Sequence, residues 1–480
     1  MSEMEPVIGL EVHAQLNTRT KLFCACPAGG SVEPNTHICE ICTGQPGALP
    51  RLNGRAVELA AKATLALGGQ VNGYSLFARK NYFYPDLPNG FQTSQLDPPI
   101  GTGGSLSVAA GDGGRKAIRL NRIHMEDDAG KCVHDEKRDR TLIDLNRAGV
   151  PLIEIVTEPD LSSSREAMEF LKTLHSLLVR LEVTKGRLEE GEFRCDVNIS
   201  LKPKGSSVLG VRGEIKNLNS FKFVGQAIDY EIRRQSALYE SGGRVEQQTL
   251  HFDHLKGETR ALRSKEEAHD YRYFPQPDLP PVLVSRVKLR EIVQSLPPPA
   301  DTIKESYKEL GLKEDTVTAL LDRPGAQAYF EEAFKRFPEA KRLGTLMVEL
   351  FLPALRQSGT DPQSAVMGPA KLAALARLMS DGVLTKKAAY DLFPELFETG
   401  ADPRQLVEAR GLSRVRDEST LQGWIMEVIA GHPEEVKKYL AGQTKILSFL
   451  VGQLMRLSRG TADPQKASAS LTQALEDLRS

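Results

Sequence analysis

The sequence predicts an α+β protein in which a large, sheet-rich domain precedes an all-helical region. Segments in which polar and apolar residues alternate recur before residue 290, as expected for strands with one buried face. A few longer segments with helical spacing interrupt them. After the three prolines at 297–299, the pattern changes to short amphipathic helices separated by Gly-Pro and Asp-Pro turns.

Charged side chains share one face of the predicted strands. The segments are residues 7–16, 119–128, 149–158 and a hairpin of 192–201 with 211–216. The residues on this face include Glu11, His13, His124, Glu126, Glu154, Arg194, Asp196, Glu214 and Lys216. A solvated sheet face would explain any one strand. However, Glu154 lies in an apolar run, and converging carboxylates repel one another without a cation. The pattern therefore favours a sheet-lined pocket that holds divalent cations.

Three helices are predicted within the sheet-rich region. Residues 55–67 are alanine-rich and end before a Gly-Gly pair, a typical stop signal. Ser163 and Glu166 form a capping-box pattern at the start of a helix that runs to about residue 181. Residues 220–239 show helical spacing and also end before a Gly-Gly pair.

These patterns predict three domains. A sheet-rich domain covers residues 1–293 and carries a cysteine-rich insertion at 24–42. A helical domain covers residues 294–405. A small helical module forms the tail, residues 406–480.

The cysteine-rich insertion has the spacing of a zinc site. The chain has six cysteines, and four of them fall in two close pairs, Cys24 with Cys26 and Cys39 with Cys42. In a chain without secretory features, two such pairs are typical of a tetrahedral thiolate site rather than of disulfides. A site with all four positions filled by protein is structural. Replacement of one thiolate by His37, or four free thiols, are the alternatives.

Composition excludes several classes of protein. The chain of 480 residues has 62 basic and 63 acidic side chains, so any nucleic-acid surface must be a local patch. No apolar run reaches the roughly 18 residues of a membrane span, and the N-terminus lacks a signal-peptide pattern. These features predict a cytoplasmic protein without membrane association. The absence of a Gly-x-x-x-x-Gly-Lys-Ser/Thr motif predicts that no P-loop holds a nucleotide.

Eight motifs in order resemble the B subunit of the bacterial aspartyl/glutamyl-tRNA amidotransferase. The resemblance covers essentially the whole chain. The motifs are Gly-Leu-Glu-Val-His at 9–13, the cysteine-rich stretch at 24–50, Lys-Asn-Tyr-Phe-Tyr-Pro-Asp-Leu-Pro at 80–88, Arg-Ile-His-Met-Glu-Asp-Asp-Ala-Gly-Lys at 122–131, Asp-Leu-Asn-Arg-Ala-Gly-Val-Pro-Leu-Ile-Glu at 144–154, Arg-Cys-Asp-Val-Asn at 194–198, Glu-Ile-Lys-Asn-Leu-Asn at 214–219 and Asp-Tyr-Arg-Tyr-Phe at 270–274.

The resemblance implies a two-step reaction on misacylated tRNA. ATP phosphorylates the side-chain carboxylate of glutamate or aspartate on the glutamine or asparagine tRNA, and ammonia then displaces the phosphate. It also implies a catalytic domain of the glutamine synthetase and guanidino kinase fold, followed by helical regions that contact tRNA. The implied partners are an amidase-type A subunit, which supplies ammonia, and a small C subunit, giving a heterotrimer.

This chemistry suggests roles for the charged residues. Glu11, Glu126 and Glu154 are candidate magnesium ligands. His13 is expected in the same site, as a ligand, on a second and softer cation, or as a hydrogen-bond donor to the acyl phosphate. Asp196 and Glu214 either complete a second metal position or guide ammonia. The candidates for binding nucleotide phosphates are Lys80, Arg147, Arg194 and Lys216. A polar path for ammonia would be lined by Lys80, Tyr82, Tyr84 and Gln92.

Two other interpretations remain open. In the first, the chain is a non-catalytic, zinc-stabilised scaffold that binds tRNA for its partners. In the second, it is a stand-alone ligase of the glutamine synthetase type acting on a free amino acid. The helical C-terminal region argues against the second, because a small-molecule ligase would not need it.

Overall fold

A large, mostly antiparallel sheet organises the first unit of the chain, Met1–Pro298. The computed structural model describes residues 3–30, 33–109, 114–261, 270–323, 325–412, 418–458, 462 and 464–478. The strands are β1 (Met4–Gln15), β2 (Gln70–Val71), β3 (Tyr74–Ser75), β4 (Ala78–Asn81), β5 (Phe91–Ser94), β6 (Gly101–Thr102), β7 (Ser105–Ala109), β8 (Arg115–Asp127), β9 (Lys131–Asp135), β10 (Arg140–Asp144), β11 (Pro151–Thr157), β12 (Phe193–Pro203), β13 (Gly213–Leu218), β14 (Gln248–Asp253), β15 (Glu258–Ala261), β16 (Phe274–Pro275) and β17 (Val282–Leu283).

The long strands lie next to one another at the centre of this sheet. Its main path runs β15-β14-β13-β12-β1-β11-β8-β5-β4-β16, and β13 pairs with β14 in parallel. β9 pairs with β10, and β3 with β17, in two small separate sheets. Each neighbouring pair among the central strands β12, β1, β11 and β8 is antiparallel, so their residues lie opposite one another in fixed pairs.

One face of the central strands is apolar and packs against helices. Alternate residues of β1 and β12, such as Leu10 and Val197, are directly paired and almost fully buried. The helices of this unit are α1 (Gly54–Ala66), α2 (Ser164–Arg180), α3 (Phe221–Glu240) and α4 (Arg286–Ser295). Apolar side chains of all four join the same core. A shift of one residue in any central strand would expose this apolar set, so core packing fixes the register and leaves the charged side chains on the other face.

The predicted helices are confirmed with small differences at their ends. Ser163 caps α2 by accepting a hydrogen bond from the amide of Glu166. The Glu166 carboxylate binds the amide of Ser162 rather than that of Ser163, so the capping box is shifted by one residue. Two short 3₁₀ helices also lie in this unit, Glu136–Arg138 and Leu188–Glu190.

The second unit, Pro299–Ser480, is helical in its described part. Its helices are α5 (Ala300–Glu309), α6 (Glu314–Leu321), α7 (Ala326–Arg336), α8 (Ala340–Leu346), α9 (Leu352–Ser358), α10 (Pro369–Ser380), α11 (Lys386–Thr399), α12 (Pro403–Ala409), α13 (Glu418–Gly431), α14 (Pro433–Leu440), α15 (Ile446–Leu457) and α16 (Pro464–Asp477). A π-helical turn (Met347–Phe351) joins α8 to α9, and Pro362–Ser364 is a 3₁₀ turn. Two apolar clusters stabilise this unit, one within residues 303–407 and one within 425–475.

The large N-terminal sheet and the helical C-terminal region confirm the coarse fold prediction. The two units meet in sequence at Pro298, whereas residue 293 lies inside α4. α4 belongs to the first unit because Ile292 joins its core and Lys288 forms an ion pair with Glu58 of α1. Residue 405 lies inside α12, and the tail module remains a prediction. Among the described helices, none combines the length and the apolar character needed to cross a bilayer.

Candidate functional site

Strand register brings several charged residues of the sheet face into two adjacent rows. Each row takes one residue from β12, β1, β11 and β8. The first row is Arg194, His13, Glu154 and His124. The second row is Asp196, Glu11, Val156 and Arg122. The rows are two residues apart along each strand, which is about 7 Å in an antiparallel sheet.

The first row contributes to a His/Glu cluster, which consists of His13, His124, Glu126 and Glu154. His13 Nε2 lies 3.4 Å from Glu154 Oε2 and 3.9 Å from Glu126 Oε2. His124 Nε2 lies 3.1 Å from Glu154 Oε2 and 3.2 Å from Glu126 Oε1. Both glutamates and His124 are buried. Two carboxylates and two imidazoles therefore converge where little water reaches them.

Electrostatics keep this cluster charged despite its burial. Burial by itself would raise the pKa of Glu154, but hydrogen bonds from His124 and His13 outweigh it and hold that pKa well below its ordinary value. Burial also opposes charge on His124, yet the two glutamates raise its pKa to about 9. Without a bound cation, the carboxylates are thus balanced by a protonated imidazole. A metal that binds here would replace protons as the neutralising charge.

Two side chains of strand β5 donate hydrogen bonds to the Glu126 carboxylate. Gln92 Nε2 donates to Glu126 Oε2 at 2.9 Å, and the Ser94 hydroxyl donates to Oε1 at 2.7 Å. These two bonds leave Glu126 little freedom to rotate. The carboxylate is therefore preorganised toward the imidazole of His124.

Lys80 on β4 faces the His/Glu cluster from the neighbouring strand pair. It lies directly opposite Gln92, and its ammonium is 5.1 Å from the ring centre of Tyr271 and 5.9 Å from that of Tyr82. Burial disfavours its charge, but Glu126 and other anionic neighbours raise its pKa. Lys80 is therefore a fixed cation at the edge of the cluster.

A separate acidic cluster lies over the second row and consists of Glu11, Asp196 and Glu214. One oxygen of each carboxylate lies within 4.8 Å of the others. Lys216 Nζ lies 3.0 Å from Asp196 and 2.5 Å from Glu214, so it already neutralises part of this charge. Burial, together with the nearby Glu154, raises the pKa of Glu11. Glu11 therefore groups with Asp196 and Glu214, one row away from Glu154 and two rows away from Glu126, the other predicted magnesium ligands.

Both clusters offer donors that fit divalent cations. The acidic cluster supplies only carboxylate oxygens, which magnesium prefers. The His/Glu cluster adds imidazole nitrogen and fits a magnesium ion less well than a softer cation. The Nδ1 atoms of His13 and His124 are buried without hydrogen-bond partners, so each ring is held only through its Nε2 side.

Two predicted phosphate-binding arginines are instead held by their own chain. The Arg194 guanidinium donates to both oxygens of Asp128, at 2.8 and 3.3 Å. Arg147 donates to the carbonyls of Ala129 and Gly130, at 2.9 and 2.5 Å, and lies 3.8 Å from Asp128. Asp128 is buried. Arg194 and Arg147 therefore support the wall of the site.

Sequence reasoning placed His124 on the charged face, because it shares the parity of Glu126 on β8, but gave it no role in the site. It did not select Ser94. No sequence signal marked Ser94, since its contact with Glu126 depends on the pairing of β5 with β8. Tyr84, a predicted lining residue for ammonia, is exposed.

The four clustered cysteines come together without His37. Their sulfur atoms lie within 4.8 Å of one another, and those of Cys39 and Cys42 are 4.0 Å apart. Thiolates 2.3 Å from a tetrahedral zinc would be about 3.8 Å apart, so this set fits the metal. A hydrogen bond from Cys24 and the charge of Lys21 lower the pKa of Cys42 to about 4. The ammonium of Lys21 is fully buried, 3.4 Å from Cys42 Sγ.

Comparisons with known proteins agree along the length of the chain. The family model described as the GatB/GatE catalytic domain matches residues 6–290, and the model described as the GatB domain matches residues 328–475. The B subunit of the aspartyl/glutamyl-tRNA(Asn/Gln) amidotransferase from Anaeromyxobacter sp. (strain Fw109-5) is 47% identical over 480 residues, with 99% of each chain covered. The protein of the same name from Persephonella marina (strain DSM 14350 / EX-H1) is 44% identical over 476 residues, covering 99% of this chain and 100% of that protein.

Proposed function

Because the chain belongs to the family of aspartyl/glutamyl-tRNA(Asn/Gln) amidotransferase B subunits, we propose that its charged sheet face activates the side-chain carboxylate of misacylated Glu-tRNA or Asp-tRNA. In the first step, a carboxylate oxygen attacks the γ-phosphorus of ATP. The new O–P bond forms as the bond to the β,γ-bridging oxygen breaks, and ADP leaves with that electron pair. In the second step, the nitrogen of ammonia attacks the activated carbonyl carbon. The C–O bond to phosphate breaks, and phosphate leaves with the proton that nitrogen gives up.

The observation that carries this proposal is that two clusters containing carboxylates lie next to each other on one sheet face. His13, His124 and Glu154 of the first cluster and Glu11 and Asp196 of the second belong to adjacent cross-strand rows, while Glu126 and Glu214 join from the next row of β8 and from β13. Phosphoryl transfer to a carboxylate brings two anions together, and catalysis consists mainly of positioning them and offsetting their charge. A surface that only bound tRNA would need neither carboxylate cluster.

Each cluster has a distinct part in this reaction. The acidic cluster, with Lys216, would hold magnesium and orient the nucleotide phosphates. The His/Glu cluster would hold a second cation through His13, Glu126 and Glu154, and that cation with Lys80 would bind the substrate carboxylate and offset charge in the transfer. Magnesium, when bound, supplies the positive charge that lets the two anions approach. Arg147 and Arg194 act indirectly in this scheme, through Asp128.

Ammonia would come from a partner, an amidase-type A subunit held with a small C subunit in a heterotrimer. Free ammonium is protonated at neutral pH and is a poor nucleophile, so a closed path must deliver the neutral form. Lys80, Tyr82 and Gln92 lie at the edge of the His/Glu cluster and would line the end of that path.

The remaining parts of the chain would support this chemistry. The mostly antiparallel sheet, covered by helices on one face and charged on the other, is consistent with the glutamine synthetase and guanidino kinase fold. The cysteine cluster would bind structural zinc. The helical region, including the tail module over 406–480, would contact tRNA. We expect the complex in the cytoplasm.

The test is Glu126→Gln in the assembled complex, which keeps the side-chain size and removes the charge. ATP-dependent amidation of misacylated tRNA should fall roughly 10²–10³-fold, as when one group that stabilises transition-state charge is lost. Glutaminase activity and tRNA affinity should remain. Glu246→Gln, at an exposed position of the same unit, is the matched control. Full activity of Glu126→Gln would favour the non-catalytic scaffold.

A further inference from the structure

A buried lysine, Lys21, lies between the cysteine cluster and the loop that borders the charged sheet face. Its side chain is fully buried, and its ammonium donates to Cys42 Sγ at 3.4 Å and to the carbonyl oxygen of Leu145 at 3.2 Å. Among the residues that the structure describes, no carboxylate forms an ion pair with it. A buried ammonium needs a compensating negative charge, and the thiolate of Cys42 is the group beside it that can supply one.

Metal binding by the cysteine cluster would provide this negative charge. Four thiolates around one zinc ion leave a net negative charge, whereas four protonated thiols are neutral. Lys21 therefore has a counter-charge when the metal is bound and loses it when the metal leaves. The position of the Lys21 side chain is thus linked to the state of the cluster.

The other partner of Lys21 begins a turn, residues 145–149, that is bonded to the end of the charged face. The amide of Gly149 donates to the carbonyl of Asp128 at 2.8 Å. The carbonyl of Gly149 accepts from the amide of Leu22, also at 2.8 Å. The turn therefore lies between the lysine segment and Asp128, with direct hydrogen bonds to both.

Gly149 lets this turn pack directly on the lysine and the cluster. A Cβ at this position would lie 3.6 Å from Cys42 Cβ and 3.6 Å from Lys21 Cδ, which is contact distance. Its φ of +83° also lies in the region that favours glycine. Movement of the Lys21 side chain would therefore be felt at once by the turn.

The cysteine insertion binds the same turn at a second place. Asn35 Oδ1 accepts from the amide of Leu145 at 2.7 Å, and Asn35 Nδ2 donates to the carbonyl of Ile143 at 2.9 Å. The amide of His37 donates to Asn146 Oδ1 at 2.8 Å. Asn35 and His37 lie between the two cysteine pairs in the sequence, so the insertion that holds the metal also holds the turn.

The turn carries Arg147, which supports the wall of the site. Arg147 donates to the carbonyls of Ala129 and Gly130 and lies 3.8 Å from Asp128, which in turn binds Arg194. Hydrogen bonds thus connect Cys42 to this wall without a break, through Lys21 and the turn.

We propose that Lys21 is a positioning residue, through which the metal-loaded cysteine cluster holds the 145–149 turn and, with it, the wall formed by Arg147, Asp128 and Arg194. The proposal rests on the proposed function, because Arg194 belongs to the same cross-strand row as His13 and Glu154. The metal site would then contribute to the rate of amidation in addition to stabilising the insertion. Loss of its charge would release Lys21 and loosen the wall.

The test compares zinc-saturated Lys21→Met with wild type in the assembled complex. The kcat of amidation should fall about tenfold to a hundredfold, as when a group that orients metal ligands is lost. The KM for misacylated tRNA should stay within about twofold, since the tRNA does not bind this buried group. Lys62→Met is the matched control, because Lys62 is also a partly buried lysine that donates to a carbonyl, that of Leu181.

A spectroscopic measurement tests the contact between Lys21 and the cluster independently of activity. Cobalt(II) in the cysteine cluster gives a thiolate-to-cobalt charge-transfer band. Loss of the hydrogen bond to Cys42 raises the energy of the thiolate electrons, so the band should move to longer wavelength in Lys21→Met and stay in place in Lys62→Met. An unchanged band in Lys21→Met would overturn the proposal.

A double-mutant cycle tests whether Lys21 acts through Arg147. Arg147→Ala should lower kcat to a similar extent, and adding Lys21→Met should then lower it less than about twofold further. If the two losses multiply instead, or if zinc-saturated Lys21→Met keeps the wild-type kcat, the proposal is wrong, while ATP-dependent amidation and the proposed function stand. Amidation that does not depend on ATP would overturn the proposed function itself.

Asn35→Gly provides a second variant at an exposed position, with a φ of +57° that glycine adopts readily. It removes the bonds from Asn35 to the turn without touching a cysteine or Lys21, and kcat should fall about twofold to tenfold. If Lys21→Met fails to assemble, this variant decides the question. A wild-type kcat in Asn35→Gly would then overturn the proposal.

Discussion

Removal of the Asp128 carboxylate should destabilise the first unit far more than removal of a surface charge. Asp128 accepts hydrogen bonds from Arg194, from Gln15 Nε2 at 2.8 Å and from the amide of Ala129 at 3.0 Å. Its side chain is 2% exposed and that of Arg194 is 20% exposed. Asp128→Ala therefore leaves a guanidinium mostly buried without its counter-charge.

The expected cost is about 3–5 kcal/mol, the range for breaking a buried ion pair from one side. Since 1.36 kcal/mol corresponds to a factor of ten, the population of locally opened molecules should rise about a hundredfold to several thousandfold. The double variant Asp128→Leu/Arg194→Met removes both charges and should recover most of this loss.

The assay follows chemical modification of Cys195, which lies on β12 next to Arg194 and is 2% exposed. Its thiol reacts only when the strand opens, and mass spectrometry of the labelled peptide separates it from the other cysteines. Fluorescence of Trp424 would not serve, because this single tryptophan belongs to the helical unit.

The exposed pair of Arg140 with Asp135 is the control, with side chains 47% and 26% exposed. Asp135→Ala should change the labelling rate less than about fivefold. The reasoning fails if Asp128→Ala labels at the wild-type rate, or if the loss in the double variant equals the sum of the losses in Asp128→Leu and Arg194→Met. Either result would mean that Asp128 does not hold Arg194.

Three further results are expected. Lys21→Met should lower zinc affinity about tenfold to a hundredfold, because it removes the buried ammonium next to Cys42. Competition with a chromogenic chelator measures the affinity. An unchanged affinity would show that Lys21 does not support zinc binding. Hydrogen bonds from Arg234 and Thr259 outweigh burial and hold the pKa of Glu231 below its ordinary 4.5. The ionised Glu231 side chain therefore contributes its full stabilisation above pH 4.5, and this contribution is lost as the pH falls through the pKa that Glu231 has in the folded protein. The urea midpoints of wild type and Glu231→Gln should therefore differ at pH 7 and converge in acid. Leu454→Ala removes a fully buried side chain and should cost about 2–5 kcal/mol in urea unfolding followed by Trp424, whereas exposed Leu478→Ala should have little effect.

The faces of the central strands could be predicted from the sequence. In β12, Arg194, Asp196 and Asn198 alternate with Cys195, Val197 and Ile199, and the structure buries the second set in the core. Side-chain direction along a strand depends only on parity, so tertiary structure cannot change it without a bulge. The N-cap of α2 was also predictable, because capping depends on residues that are close together in the sequence.

The division of the carboxylates between two clusters could not be predicted. Glu11 and His13 are on the same strand face, yet Glu11 lies opposite Asp196 and His13 lies opposite Glu154. Those assignments depend on registers between strands that are distant in the sequence. Parity alone therefore identified the face but could not identify the partners.

The role of the arginines also depended on tertiary contacts. Arg194 lies on the same sheet face as the site. Only the structure shows that its guanidinium binds Asp128, the residue that follows β8. Arg122 carries no local feature that separates it from an ordinary surface arginine. Only the structure shows that it shares a row with Glu11 and that its Nε is buried without a hydrogen-bond partner.

The most direct measurement follows oxygen from the substrate carboxylate. Glu-tRNA or Asp-tRNA labelled with ¹⁸O in the side-chain carboxylate is amidated by the complex, and the released phosphate is analysed by mass spectrometry. Activation through an acyl phosphate transfers one labelled oxygen to phosphate, and Glu126→Gln should slow its release by the same factor of roughly 10²–10³. Unlabelled phosphate released in step with amide would contradict the activation of a carboxylate on this sheet face.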